Sequence, residues 1–307
     1  VPFKNDLLCR VCAYIINFII PPKMTHGLFI GNGYDYEIAF LEGVPTKLIA
    51  EAKTKKYAWV HIDLYHTFGL EKVHRSIKKH IECYRKFDKI ICVSQNVKDM
   101  FIKRFGISDN IDVIYNILDT KMILKKSQEH VERSSRFRIV TVGRAEYQKG
   151  FERLMRIHKR LIDEGFDHEL IIVGDGSQRP ALERYTEENG ISECTIFTGF
   201  TDNPYKYMNS ADLIVYPSRA EGYSTVATEA VVLGKPVVAA NCAGMKEIFG
   251  DSEYGLVTEN TDEAIYDGIK KMLEDKTLSS YYAKQARERS RDFESNSRLK
   301  KLEELFK

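Results

Sequence analysis

Residues 215–240 read VYPSRAEGYSTVATEAVVLGKPVVAA. Two apolar strands flank a short loop and one helix, the order of a unit in a parallel sheet. Glu221 falls in the loop just ahead of the helix and is followed at once by Gly222. Glu229 falls within the first two turns of the helix, on the face that looks toward the strand ends. The two carboxylates are spaced about a turn and a half of helix apart. They sit at the carboxyl end of a strand, where open parallel sheets bind their ligands. The N–H groups of Ser224 and Thr225 open the helix, lack acceptors within it, and suit an anion.

The same alternation extends outward on both sides. Strands are predicted at 137–143, 169–174, 194–198, 212–217, 236–240 and 255–257, with helices between them at 150–163, 178–189, 204–209 and 245–249. Helices 261–275 and 278–291 close the series. Runs such as Leu170-Ile171-Ile172-Val173 are β-branched on both faces, as in a sheet buried on both sides. The first half alternates less completely, with strands at 36–41, 58–62, 89–93 and 112–115 and helices at 46–52, 71–86 and 96–105. The polar run Lys125–Ser135 reads as the connection between the halves. Residues 1–130 are expected to form a first α/β domain, 131–294 a second, and 295–307 a closing helix with Leu299, Leu302, Leu305 and Phe306 on one stripe.

The Glu221–Glu229 block, continued by Gly234-Lys235-Pro236 and Gly244-Met245-Lys246-Glu247, resembles the Glu-x7-Glu signature of retaining GT-B glycosyltransferases, family 4 in particular. A bare Glu-x7-Glu would be common by chance; its strand-loop-helix-Gly-Lys-Pro-strand setting makes it specific. The resemblance covers roughly 35–307 and is strongest over 137–250. It implies a GT-B fold of two Rossmann-like α/β domains with parallel, doubly wound sheets, in which the closing helix packs back on the first domain. The family opens with a Gly-rich loop ending in a Gly-Gly-Ala-Glu-like sequence, which is not found here. About four strands precede residue 120 where about six or seven are expected. Since Val1 is not an initiator, the economical expectation is that the N-terminal segment is absent from this chain; otherwise residues 1–34 replace it.

The resemblance also implies roles. Gly143-Arg144 and Lys149-Gly150 are similar to the family's Gly-Arg…Lys-Gly element. There the Gly lets phosphate approach the backbone, and Arg144 and Lys149 would stabilise charge on the leaving nucleoside diphosphate. Glu229 would accept hydrogen bonds from both ribose hydroxyls, a task that suits two carboxylate oxygens. Glu221 would orient the transferred sugar. Backbone groups of Tyr223, Ser224 and Thr225 would meet the sugar and distal phosphate. Where many family members have Gly-Phe-Gly after the first Glu, this chain has Gly-Tyr-Ser-Thr. Phe200 would lie beside the base. His61, after Trp59-Val60, resembles a His at a strand end of the first domain that contacts donor sugar or phosphate.

Other features narrow the partners. Gly174-Asp175-Gly176-Ser177 lacks the third glycine and acidic partner of a dinucleotide site and reads as a helix-opening turn. There is no Asp-x-Asp in a strand-end loop, so no divalent metal and no cofactor is expected; the donor that the resemblance implies is a UDP- or GDP-sugar. The chain has a net charge of +2, yet residues 1–137 hold 22 Lys and Arg against 15 Asp and Glu. That excess suits solvated helix faces, anionic lipid head groups or a phosphate-bearing substrate. Nucleic acid fits less well, because aromatics are not interleaved with the basic residues. The stretch Leu7–Ile20 is too short and interrupted to span a bilayer; it is a core helix or lies on a membrane surface. Six scattered cysteines, with only Cys9 and Cys12 closely spaced, point to buried thiols and a reducing cytoplasm.

The resulting expectation is an enzyme in polysaccharide or surface-glycan assembly, cytoplasmic or peripheral at the inner membrane face. It would transfer sugar to a hydroxyl of a glycan or lipid-linked acceptor bound mainly by the first domain. A sugar-nucleotide epimerase or hydrolase, and a non-catalytic nucleotide-sugar-binding module, use the same donor residues. An NAD-dependent oxidoreductase is a more distant alternative.

Overall fold

The computed structural model describes residues 14–15, 19–66, 71–293 and 296–307. They form two compact units that divide at Tyr115/Asn116. Cys9, Cys12 and most of the Leu7–Ile20 stretch lie outside the described residues.

The first unit holds a parallel sheet of four strands in the order β1 (Tyr36–Ala39), β2 (Lys55–Val60), β3 (Lys89–Cys92) and β4 (Ile111–Val113). Its core packs Val60, Ile90 and Ile91 with an aromatic group of Tyr84, Phe101 and Phe105. Helix Gln95–Phe105 starts where Ser94 accepts from the Val97 N–H and ends at the left-handed Gly106. The helix predicted over 71–86 is two pieces, Glu71–His74 and Ile77–Tyr84. Arg75 between them takes a left-handed φ of 66°, and Ser76 caps the second piece.

The second unit contains six parallel strands in the order β10-β9-β8-β5-β6-β7. They are β5 (Phe137–Val142), β6 (His168–Val173), β7 (Thr195–Gly199), β8 (Leu213–Tyr216), β9 (Val237–Ala240) and β10 (Leu256–Thr258). The chain runs outward from β5 through β6 to β7, then returns to the other flank of β5 with β8. The carboxyl ends of β5 and β8 therefore border the switch point, where the two following loops part and leave a crevice. Apolar side chains from both faces, among them Ile139, Leu154, Leu170, Val215 and Ile269, make one continuous core. Arg138 in β5 is 2% exposed, and its guanidinium donates to Glu169 at 2.6 Å, Ser210 at 3.0 Å and the Glu132 carbonyl at 2.8 Å. A buried arginine is tolerated because its donors are met.

The division at 115/116 falls ahead of the boundary expected at 130/131. Part of the predicted connection is helix Thr120–Lys126, which belongs with the second unit. Asn203 and Asn209 donate to the carbonyls of Lys126 and Ser127 at the end of that helix, both at 3.0 Å. Side-chain amides far away in sequence thus tie the end of this helix to the second unit. The closing helix, Asn296–Glu304, also falls in the second unit. There Arg298 donates to the Asn116 carbonyl at 2.7 Å.

Candidate functional site

At the switch point of the second unit, β5 delivers Gly143 and Arg144, and β8 delivers Tyr216 and the loop to Glu221. Two glycines let these loops close on their neighbours. A Cβ at Gly150, whose φ is +69°, would lie 2.2 Å from the Pro217 carbonyl oxygen. One at Gly174 would lie 2.0 Å from the Gly143 oxygen. The loop after β8 is then sewn to the loop after β5 by three bonds. The Arg219 N–H donates to the Gln148 carbonyl (2.8 Å), the Gln148 amide to the Ala220 carbonyl (2.8 Å) and the Arg219 guanidinium to the Tyr147 carbonyl (3.0 Å).

This stitching brings Lys149 and Glu221 together from 72 residues apart. Lys149 Nζ donates to Glu221 Oε1 at 2.6 Å and to the Tyr216 hydroxyl at 3.2 Å. That hydroxyl itself donates to Glu221 Oε1 at 2.9 Å. Side chains of the pair are 16% and 11% exposed, so the charges are largely withdrawn from water yet reachable. An ammonium has three donors, and two are accounted for here, leaving one for an arriving anion. Burial, and then the Glu221 charge, hold the Tyr216 phenol protonated by raising its pKa well above the usual value. Burial likewise raises the Cys242 thiol, with Glu221 adding to it, so it is no ready nucleophile. Gly143 lines the same spot: a Cβ there would lie 3.5 Å from the Lys149 side chain. Arg144 is exposed at the loop tip.

Helix Thr225–Val232 begins with Ser224, whose hydroxyl accepts from the Ala227 N–H at 3.1 Å. The Ser224 side chain thus serves the helix, while the backbone N–H groups of Thr225 and Val226 have no acceptor within it. Tyr223 is 5% exposed; its carbonyl accepts from Asn116 at 3.1 Å and its hydroxyl from Arg298 at 3.4 Å. It anchors the loop rather than presenting its ring. Glu229 is partly buried and accepts from the Tyr205 hydroxyl at 3.3 Å. Burial raises its pKa to about 7, against the opposing pull of that hydrogen bond. Phe200, just beyond β7, is 82% exposed.

His61 follows β2 in the first unit. Its backbone N–H donates to Glu42 Oε1 at 2.5 Å, its ring meets Phe40 edge-on at 4.7 Å, and its Nε2 is buried without a partner among the described residues. Burial lowers its pKa, so the neutral imidazole is favoured. Tyr216 and Tyr205 were missed in the sequence. A tyrosine ending a buried strand has no signature of its own, and only its proximity to Glu221 gives it a role. Among the described residues, no group of three or more His, Cys, Asp or Glu is placed to hold a metal ion.

Residues 122–289 match the family model described as glycosyl transferases group 1, and residues 46–122 match that of glycosyltransferase family 4. The chain belongs to this GT-B family. Within it, the chain is 32% identical over 214 residues to the N-acetylgalactosamine-N,N'-diacetylbacillosaminyl-diphospho-undecaprenol 4-alpha-N-acetylgalactosaminyltransferase of Campylobacter jejuni. That match covers 69% of this chain and 58% of the relative. It is 27% identical over 232 residues to the amylovoran biosynthesis glycosyltransferase AmsD of Erwinia amylovora, covering 75% and 65%. The chain therefore spans about three fifths of the length of these relatives. Among solved structures, Anabaena HepE in complex with UDP and glucose superposes with a TM-score of 0.76 over 100% of this chain and 83% of that one. At 20% identity this likeness establishes the fold alone. The two parallel sheets agree with it: both units carry the α/β architecture of GT-B glycosyltransferases.

Proposed function

We propose that this chain carries the donor half of a retaining glycosyltransferase, moving sugar from a UDP- or GDP-sugar to a hydroxyl of a glycan or lipid-linked acceptor. The carrying observation is the Lys149–Tyr216–Glu221 cluster at the switch point, with Glu229 in the helix that follows it. The names of the relatives above, which concern a diphospho-undecaprenol acceptor and amylovoran biosynthesis, support polysaccharide or surface-glycan assembly. In this reading the remaining Lys149 donor and the exposed Arg144 hold the diphosphate and stabilise the charge that grows as the glycosidic bond breaks. The N–H groups at the start of helix Thr225–Val232 add partial positive charge. No divalent metal is assigned to this work.

Glu221, fixed by two donors on Oε1, keeps Oε2 for the sugar hydroxyls. Glu229 accepts from the ribose. No side chain at the cluster is an evident nucleophile, so attack comes from the acceptor on the same face as departure. The leaving phosphate oxygen takes the acceptor's proton. His61 is assigned to the donor sugar or phosphate, and Phe200 to the base. Peripheral contact with a membrane belongs to the same proposal; no helix among the described residues is long and apolar enough to cross one.

The test is turnover with a panel of UDP- and GDP-sugars and isoprenoid-linked or oligosaccharide acceptors, with NMR of the product's anomeric centre. Retention is expected. Inversion, or release of free sugar or epimer without an acceptor, defeats the reading. Lys149→Ala should weaken binding of the nucleotide-sugar by about 1.5–3 kcal/mol, the range of a charge-assisted bond. Unchanged affinity by calorimetry would remove Lys149 from the site.

A further inference from the structure

Three loops at the carboxyl ends of the second unit's strands meet at one side chain. Asn260 follows β10 and stands one residue ahead of Thr261, whose hydroxyl caps helix Asp262–Glu274 by accepting from the Ala264 N–H at 3.2 Å. The Asn260 amide is therefore not engaged in capping that helix. Its Nδ2 donates to the carbonyls of Ser218 at 3.3 Å and Arg219 at 3.2 Å, both in the loop after β8. It also donates to the Asn241 carbonyl at 3.3 Å, just after β9. Its Oδ1 accepts from Arg153 Nη1 at 2.6 Å. These partners force the orientation of the amide, since a guanidinium only donates and carbonyls only accept.

Arg153, in helix Phe151–Asp163, is 3% exposed and anchors the arrangement from the core. Its Nε donates to Asp262 at 2.8 Å, and its Nη1 also reaches the Pro217 carbonyl at 3.5 Å. The segment held in this way, 217–221, belongs to neither strand nor helix. No ladder of its own fixes it, and Ser218 is buried, where backbone groups need protein partners. Glu221 follows the two braced carbonyls by three and two residues. Among the described residues Asn260 makes no hydrogen bond to Lys149, Tyr216 or Glu221, so its influence on them passes through the backbone.

We propose that Asn260 is a positioning residue, which fixes the loop that presents Glu221 and so holds that carboxylate in its orientation toward the transferred sugar. The proposal rests on the role given to Glu221 above. Without the three donations the loop after β8 is free to shift against the loops after β9 and β10. A displacement of about 1 Å remote from the reacting atoms can cost on the order of a hundredfold in rate.

The experiment compares Asn260→Asp and Asn260→Ala with the wild type, each as the whole chain. Aspartate keeps an acceptor for Arg153 and loses every donation, whereas alanine loses both. Amide hydrogen exchange over 217–222 should quicken at least about tenfold in both variants, with β5 and β6 as protected as before. Calorimetry uses UDP and GDP, and turnover uses the panel of UDP- and GDP-sugars. Turnover should fall at least about tenfold, while affinity for the nucleoside diphosphate, which has no sugar for Glu221 to meet, stays within about twofold. Unchanged exchange over 217–222, turnover within about twofold of the wild type, or equal losses of nucleoside-diphosphate affinity and turnover overturn the proposal. Faster exchange throughout β5 and β6 with a lowered Tm assigns Asn260 to stability alone and overturns it too. So does an aspartate variant that behaves as the wild type, because the role then lies in the Arg153 bond. A wild type that turns over no nucleotide-sugar defeats the reaction proposed above. Faster exchange confined to 217–222 in the variants then still supports the brace, and unchanged exchange overturns it.

Discussion

If Glu229 accepts from both ribose hydroxyls, nucleotide-sugar binding must follow its ionisation. The free carboxyl titrates at about 7 because burial disfavours its charge. Only the carboxylate accepts two hydrogen bonds, since the acid must spend one oxygen as a donor. Affinity should therefore be nearly full at pH 8 and about tenfold lower at pH 6, roughly 1.4 kcal/mol per pH unit once the acid form dominates. A nucleotide-sugar is the right ligand, because its diphosphate is a diester without a proton to titrate in this range. Isothermal titration of wild type and Glu229→Gln at pH 6, 7 and 8, at constant ionic strength, reads both effects. The glutamine should bind about 1.5–3 kcal/mol more weakly at pH 8 and show no slope. The apo protein should respond in the opposite sense. A carboxyl raised in the fold destabilises it as pH rises from the unfolded pKa near 4.5 toward 7, so Glu229→Gln should be the more stable chain at pH 8, by up to about 3 kcal/mol, and lose that advantage by pH 5. A flat wild-type affinity between pH 6 and 8, or an equal slope in the glutamine variant, would refute the assignment of Glu229 to the ribose.

Three further outcomes concern the frame. Gly150→Ala should lower stability by about 3 kcal/mol or more in urea unfolding, because its Cβ would meet the Pro217 carbonyl at 2.2 Å and φ is +69°; the strain scale is 1–3 kcal/mol before the clash is counted. Arg138→Ala should cost about 3–5 kcal/mol by leaving Glu169 buried and unpaired, and Arg138→Met combined with Glu169→Leu should recover most of it; an equal loss in both chains would contradict the ion-pair account. His158, buried against His168 at 2.8 Å, is held neutral down to about pH 3. The unfolded chain binds its proton below about 6.5, so His158 should contribute a fall in stability of about 1.4 kcal/mol per pH unit from 6.5 downward, and His158→Gln should lessen the slope by that amount.

Much of the second unit was legible in the sequence. Each predicted strand from 137 to 257 has a counterpart, since continuous β-branched runs between short polar loops admit few alternatives to a buried parallel sheet. The Glu221–Glu229 block marked the loop and helix, and Gly143 and Lys149 lie where that loop closes. The first half was harder. Four strands were visible, but one helix was read straight through Arg75, because no residue preference announces a left-handed arginine. The polarity of Lys125–Ser135 suggests a connection there, whereas the two compact units divide at 115/116 and amides of Asn203 and Asn209 bind residues 126 and 127.

By itself the sequence determined the alternation of elements, the family, and which carboxylates and cations were candidates, because periodicity and local motifs are properties of neighbours along the chain. Only the tertiary structure decided that Lys149 and Glu221 are one ion pair with Tyr216 between them. It also showed that Tyr223 is an anchor and that burial pushes the Glu229 pKa up to about 7. Each depends on partners far away in sequence and on exclusion of water, which the order of residues does not record.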